Sequence, residues 1–230
     1  MAYSSQLGRM RHNAGMRLLI LGASGGCGQW LTRLAAERGH EVTALVRSSS
    51  RFQAPSGVTV HQGEVTDPAV LDKVVSSQDA VLCAIGLRRA NKNPWAPLLS
   101  PADLTQQTAQ LLVPAMGRHG VKRLIAISAA GVADSLPHLT WLTRQMVAAG
   151  NVGVAYRDLA AMETVLATST LDWLAVRPVV LLDGPPKRPA RPVTRFGMTS
   201  IIRRSEVATW MLDTIEKPAP FPERFVMLGT

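Results

Sequence analysis

Short aliphatic runs alternate along the chain with longer segments in which apolar residues recur every three or four positions. Residues 17–21 (RLLIL) form the first run, and Gly22 ends it. Residues 42–46 (VTALV), 58–61 (VTVH), 80–85 (AVLCAI), 123–127 (RLIAI), 172–177 (DWLAVR, stopped by Pro178) and 225–228 (FVML) are the others. Runs this short and this aliphatic predict strands covered on both faces. Between the first two, Trp30, Leu31, Leu34 and Ala35 give a helix over 29–38 one apolar stripe. Leu71, Val74 and Val75 do the same behind Asp67 and Pro68, a capping residue followed by a proline suited to the first helical turn. Further helices are predicted over 103–119, with Pro114 as a local irregularity, over 139–149, over 155–167, and after Ser205, read as a cap. The glutamate of a capping box is absent three places beyond Ser205, where Ala208 stands. Alternating strands and helices predict an α/β fold, a three-layer α/β/α sandwich around a predominantly parallel, doubly wound sheet.

One domain over residues 16–230 accommodates all of these elements, and the polar stretch 1–15 is expected to be a flexible extension. Two stretches are long for connections in such a fold. Residues 87–100, rich in Arg, Asn and Pro, are expected to help form a site rim. Residues 183–200, with four prolines among basic residues, are expected to be a substrate-side excursion, with 193–196 as a short strand. Trp95 and Trp141 suit either an aromatic pocket or packing beneath loops, and packing is the expectation.

Composition narrows the functional classes. Apolar residues make up 47% of the 230, enough for a sizeable core, while aromatics are only 5%. The net charge is +9, but the basic residues are scattered and no run of like charges stands out. With no finger, RNP or helix-turn-helix pattern, nucleic acid is not an expected partner, and the positive surface instead suits anionic small molecules. The apolar runs are too short to span a bilayer, and residues 1–15 lack the apolar centre of a signal peptide, so a cytoplasmic protein away from membranes is expected. Cys27 and Cys83 form neither a CxxC pair nor a disulfide framework. His61, His119 and His138 fall in separate elements, and no metal is expected.

The segment Gly22-Ala23-Ser24-Gly25-Gly26-Cys27-Gly28 carries the chemistry. It joins the first strand to the first helix, the place where a doubly wound sheet binds a dinucleotide. Gly22 permits a sharp turn, Gly25 lets backbone approach phosphate, and Gly28 lets helix and sheet pack closely. The first amides of the helix have no internal partners and can hold phosphate oxygens, with the Ser24 hydroxyl as a further donor. At the end of the second strand, an NAD-selective site places an acid against the ribose. Here that segment, residues 45–51, reads LVRSSSR and has none. Arg47, with a nearby serine or Arg51, suits a 2′-phosphate, so NADP(H) is expected, with NAD(H) as the second choice. Glu64 and Val65 suit the adenine, with Glu64 equally suited to cap the following turn, and Ala84, Ile85 and Gly86 offer backbone close to the nucleotide.

Taken in order, these segments, together with residues 120–125 (GVKRLI) and 171–178 (LDWLAVRP), resemble the atypical short-chain dehydrogenase/reductases over roughly residues 16–228. The likeness is to the NAD(P)-binding group that holds NmrA-like proteins and flavin/biliverdin-IXβ reductase. It implies a Rossmann fold with a small C-terminal substrate region. It also implies phosphate-turn roles for Gly22, Gly25 and Gly28, a 2′-phosphate role for Arg47, and adenine roles for Glu64 and Val65. The family's flavin-reductase branch uses NADPH to reduce flavins and related tetrapyrroles. The wider superfamily pairs a tyrosine with a lysine four residues later, and here Tyr156 is followed by Ala160. Ser128 is left as the candidate catalytic residue at the nicotinamide end. Glu163 matches an acidic position frequent in NmrA-like relatives.

The expected function is hydride transfer from NADPH to a flavin, quinone or related conjugated acceptor, which can take its proton from solvent and has no need of the missing tyrosine. Arg88, Arg89 or Lys92 would attract an anionic group on that acceptor. A non-catalytic NADP(H) sensor of the NmrA-like kind is the alternative, and an NAD(P)-dependent epimerase or dehydratase would need acid/base groups that the sequence does not display. The sequence leaves monomer and homodimer open.

Overall fold

A computed structural model describes residues 15–230 apart from 92, 94, 139–144, 146–149 and 198–199. The extension expected at the N-terminus, Gly15 excepted, and nearly all of the helix expected over 139–149 lie outside the described residues. Strand β1 (Arg17–Leu21) pairs in parallel with β2 (Glu41–Val46) on one side and β4 (Ala80–Cys83) on the other. Strand β3 (Thr59–Gln62) flanks β2, while β5 (Arg123–Ile127), β6 (Asp172–Pro178) and β10 (Phe225–Gly229) continue beyond β4. A short antiparallel strand, β8 (Arg191–Pro192), closes the edge, giving the order β3-β2-β1-β4-β5-β6-β10-β8. Strands β7 (Val180–Leu182) and β9 (Ile201–Arg203) form a separate parallel pair.

Side chains alternate across β1 and sort the helices into two layers. Leu18 and Ile20 pack with α1 (Gly26–Glu37) and α5 (Arg204–Ile215). Leu19 and Leu21 face the opposite layer of α2 (Pro68–Val75), α3 (Leu104–Arg118) and α4 (Asn151–Ala167). All four are fully buried, and each such side chain contributes roughly 1.5–3 kcal/mol relative to an exposed one. The fold is therefore the three-layer Rossmann-type sandwich that the hydrophobic pattern predicts.

Three local expectations change. Residues 193–196 are not a strand, because the free edge of β10 recruits Arg191 and Pro192 instead. An edge position tolerates Pro192, which has no N–H to give. Pro178 does not stop β6, but ends it in register with Leu228 of β10. Ser205 is not a helix cap: α5 starts at Arg204, and the Glu206 carboxylate accepts from the Arg203 N–H at 2.8 Å. The capping-box glutamate thus exists, in a register two residues earlier, and the Ser205 hydroxyl donates to the Gly184 carbonyl at 2.8 Å.

Asp103 precedes α3 but its side chain makes no cap hydrogen bond. The buried carboxylate of Asp158, on α4, accepts instead from the amides of Thr105 and Gln106 at 3.0 and 2.9 Å. One helix thereby caps its neighbour and fixes the loop that enters α3.

Candidate cofactor-binding site

The sheet order reverses at β1 and β4, whose C-terminal ends open a crevice at the topological switch point. Gly22 leaves β1 with φ +78°, and a Cβ there would meet the Ala84 carbonyl oxygen at 2.8 Å. No L side chain fits that corner. The chain then folds back so that the Gly25 amide donates to the Gly22 carbonyl at 2.9 Å. Gly28 lies so close to that same carbonyl that a Cβ would overlap it. The turn is therefore pressed flat against β1 and β4, and it leads straight into α1. The first α1 amide bonded back along the helix is that of Gln29, to the Gly25 carbonyl at 2.9 Å. The amides of Gly26, Cys27 and Gly28 come before it and point out of the helix end. The first turn holds no acidic residue to oppose an anion there.

A cavity of about 360 Å³ runs from this turn across the strand ends. It brings together Gly22, Ser24, Gly25, Arg47, Glu64, Val65, Ala84, Ile85 and Gly86, all named from sequence. Gly26, Cys27 and Gly28, which form the first turn of α1, are not among its lining residues. The Cys27 side chain is core, and burial pushes its thiol up to about 11 although the Arg204 charge pulls the other way. Among the described residues, no hydrogen bond or ion pair engages the side chains of Arg47 or Glu64. Asp67 rather than Glu64 caps α2, accepting from the Ala69 amide at 2.9 Å. Arg51 lies apart, in a second cavity with Trp30, Arg33 and Phe52.

The loop 87–100 forms part of the same crevice. It folds back on itself through the Arg89–Leu98 bridge and a Leu99 N–H to Arg88 carbonyl bond of 2.7 Å. Its Leu87, Arg88, Leu99 and Ser100 line the cavity. Trp95, expected to pack beneath this loop, is 58% exposed, and Trp141 lies outside the described residues.

Ser128 sits just past the end of β5, only 5% exposed and outside the cavity's lining. Its amide donates to the Val176 carbonyl at 2.7 Å, but its hydroxyl has no hydrogen-bond partner among the described residues. A buried hydroxyl without a partner is costly and points to a missing one. Tyr156 donates to the Ala130 carbonyl at 3.0 Å, two residues beyond Ser128, and burial raises its pKa. Glu163 does not reach the crevice. It grips Arg177 with both oxygens, at 2.9 and 2.8 Å. Sequence patterns gave no hint of Arg204, whose stem lies over Gly26 and whose guanidinium pairs with Asp183.

A family described as NAD(P)H-binding matches residues 22–218. The chain belongs to this NAD(P)H-binding family. Among solved structures similar to this NAD(P)H-binding protein is ChuY, an anaerobilin reductase from Escherichia coli O157:H7. The two share a TM-score of 0.74 and 24% identity, over 92% of this chain and 96% of that one. A short-chain dehydrogenase/reductase from Veillonella parvula, in complex with NADP, gives a TM-score of 0.74 at 19% identity, over 94% of each chain. These two likenesses show the fold. A 3-diazoavenalumate denitrifying reductase from a Streptomyces species is 32% identical over 169 residues, 70% of this chain. The match takes in about half, 55%, of that relative's length. Among the described residues, no helix is long and apolar enough to cross a membrane.

Proposed function

We propose that this protein is an NADPH-dependent reductase that passes hydride to a conjugated small molecule such as a flavin or quinone, preferably an anionic one. The observation that carries the reading is the crevice itself. Gly22, Ser24 and Gly25 of the glycine turn line one cavity with Arg47 and Glu64, whose side chains have no partner among the described residues, and these are groups that the diphosphate, ribose and adenine of a dinucleotide would meet.

The residues fit the cofactor. The corner at Gly22 and the close approach at Gly28 leave the α1 amides uncovered by any side chain of the turn. Arg47 would hold a 2′-phosphate through charge-assisted hydrogen bonds. Glu64 would accept from the adenine amino group, with Val65 against the ring. When bound, the reduced nicotinamide supplies the hydride. Ser128, whose buried hydroxyl has no partner among the described residues, would orient the carboxamide or an acceptor carbonyl. Tyr156 has Ala160 where a lysine would lower its pKa, its hydroxyl is spent on a backbone carbonyl, and burial raises its pKa. It is a poor proton donor, so an acceptor that takes its proton from solvent fits better than a simple ketone. Arg88 on the cavity wall favours an acceptor with a carboxylate or phosphate. The reductase name of the Streptomyces relative supports the same class of reaction.

The test is anaerobic oxidation of NADPH, followed by absorbance, on addition of flavins, quinones and neutral ketones in turn. Turnover with the first two and none with ketones is expected. NADPH binding without turnover across the panel would contradict the catalytic reading and favour a redox sensor.

A further inference from the structure

The glycine turn contains one glycine more than its spacing needs. Gly26 is the first residue of α1, is not among the residues lining the crevice, and has no positive φ. Its reason lies across the packing of α1 on α5. A Cβ on Gly26 would meet Arg204 Cδ at 2.6 Å and Nε at 2.8 Å. Arg204 is the first residue of α5, whose N-terminus opens at the same end of the sheet as that of α1. Its side chain is 25% exposed, and its Nη1 meets Asp183 Oδ1 at 2.6 Å. The Asp183 side chain is 67% exposed and belongs to the excursion after β7. A guanidinium is thus laid over the very turn whose amides remain uncommitted, and a surface carboxylate holds it there.

We propose that Arg204 is a cofactor-binding residue that contacts the diphosphate over the first turn of α1, and that position 26 is glycine to admit its stem. This rests on the reading that a dinucleotide diphosphate lies on that turn. A diphosphate there carries two negative charges, which three amides and a helix end offset only in part. Arg204 supplies a full positive charge with planar donors that match phosphate oxygens. Asp183 orients the guanidinium before binding and yields part of it to phosphate afterwards. The excursion that carries Asp183 is thereby coupled to cofactor binding.

Dissociation constants measured by calorimetry for NADPH and for 2′-AMP, which lacks the diphosphate, test this on the full chain. Arg204→Ala is expected to weaken NADPH about tenfold or more and to leave 2′-AMP within about twofold. Asp183→Asn is expected to keep NADPH affinity or tighten it. Arg204→Gln retains the stem over Gly26 and should lose as much affinity as the alanine variant, which covers the case in which the alanine variant folds poorly. Unchanged NADPH affinity in both Arg204 variants, equal losses for NADPH and 2′-AMP, or an Asp183→Asn loss matching that of Arg204→Ala would each overturn the proposal. They would leave the glycine-turn reading standing. That reading fails separately if the wild-type chain binds neither NADPH nor NADH.

Discussion

Glu163 and Arg177 form a two-pronged ion pair sealed inside the protein, with side chains 4% and 3% exposed. Arg177 also reaches the exposed Asp134 at 2.8 Å, and its guanidinium stacks 4.2 Å from the centre of the Phe225 ring. The pair thus ties α4 to β6 and to the turn that follows Ser128. Removing Glu163 leaves the buried Arg177 with only the exposed Asp134 as counterion, and breaking a buried pair costs roughly 3–5 kcal/mol. Glu163→Ala should lower the free energy of chemical denaturation by that amount, and a loss near zero would show that Asp134 alone compensates Arg177.

The cap that Asp158 lends to α3 predicts a smaller effect. Asp158→Ala frees the amides of Thr105 and Gln106, which costs about 0.5–2 kcal/mol for a lost cap. Denaturation of Asp158→Ala beside Asp103→Ala checks the assignment. Only the first should be destabilised, because the Asp103 side chain makes no cap bond.

These contacts mark the boundary of what the sequence reveals. The glycine turn, the β1 run and the Arg47 position are legible because each depends on residues close together in the chain. Asp158 caps a helix through an amide 53 residues earlier, and Arg204 covers a glycine near the other end of the chain. No periodicity reports such pairs, since they arise only when the layers pack. The α5 cap was misread for a different reason. Ser205 is the commoner capping residue, but Glu206 reaching back to the Arg203 amide fixes the register. Trp95 stays exposed because the loop 87–100 pairs with itself rather than folding over its tryptophan.

Glu206 also sets a pH dependence. Burial pushes its carboxyl up, but hydrogen bonds from the amides of Arg203, Lys187 and Arg188 outweigh this and hold it below the ordinary 4.5. A folded pKa below the unfolded one stabilises the protein above pH 4.5, and the contribution is lost as pH falls through the folded value. Glu206→Gln should therefore be less stable than wild type at neutral pH, and the gap should close on acidification. A gap that stays constant down to acid pH would contradict the ion's role in pinning residues 187 and 188.

Arg47 decides between the two nucleotides. A charge-assisted hydrogen bond contributes about 1.5–3 kcal/mol, so Arg47→Ala should weaken NADPH roughly ten- to hundredfold and leave NADH almost unchanged. Comparing the two dissociation constants in wild type and variant checks this. Tighter binding of NADH than NADPH by the wild type would remove the assignment.

The most direct measurement is a crystal structure of the chain soaked with NADPH. The account predicts diphosphate oxygens within hydrogen-bond distance of the Gly26 and Cys27 amides, the 2′-phosphate on Arg47, and the nicotinamide beside the Ser128 hydroxyl. Nucleotide bound elsewhere with the start of α1 bare, or a 2′-phosphate turned away from Arg47, would contradict it.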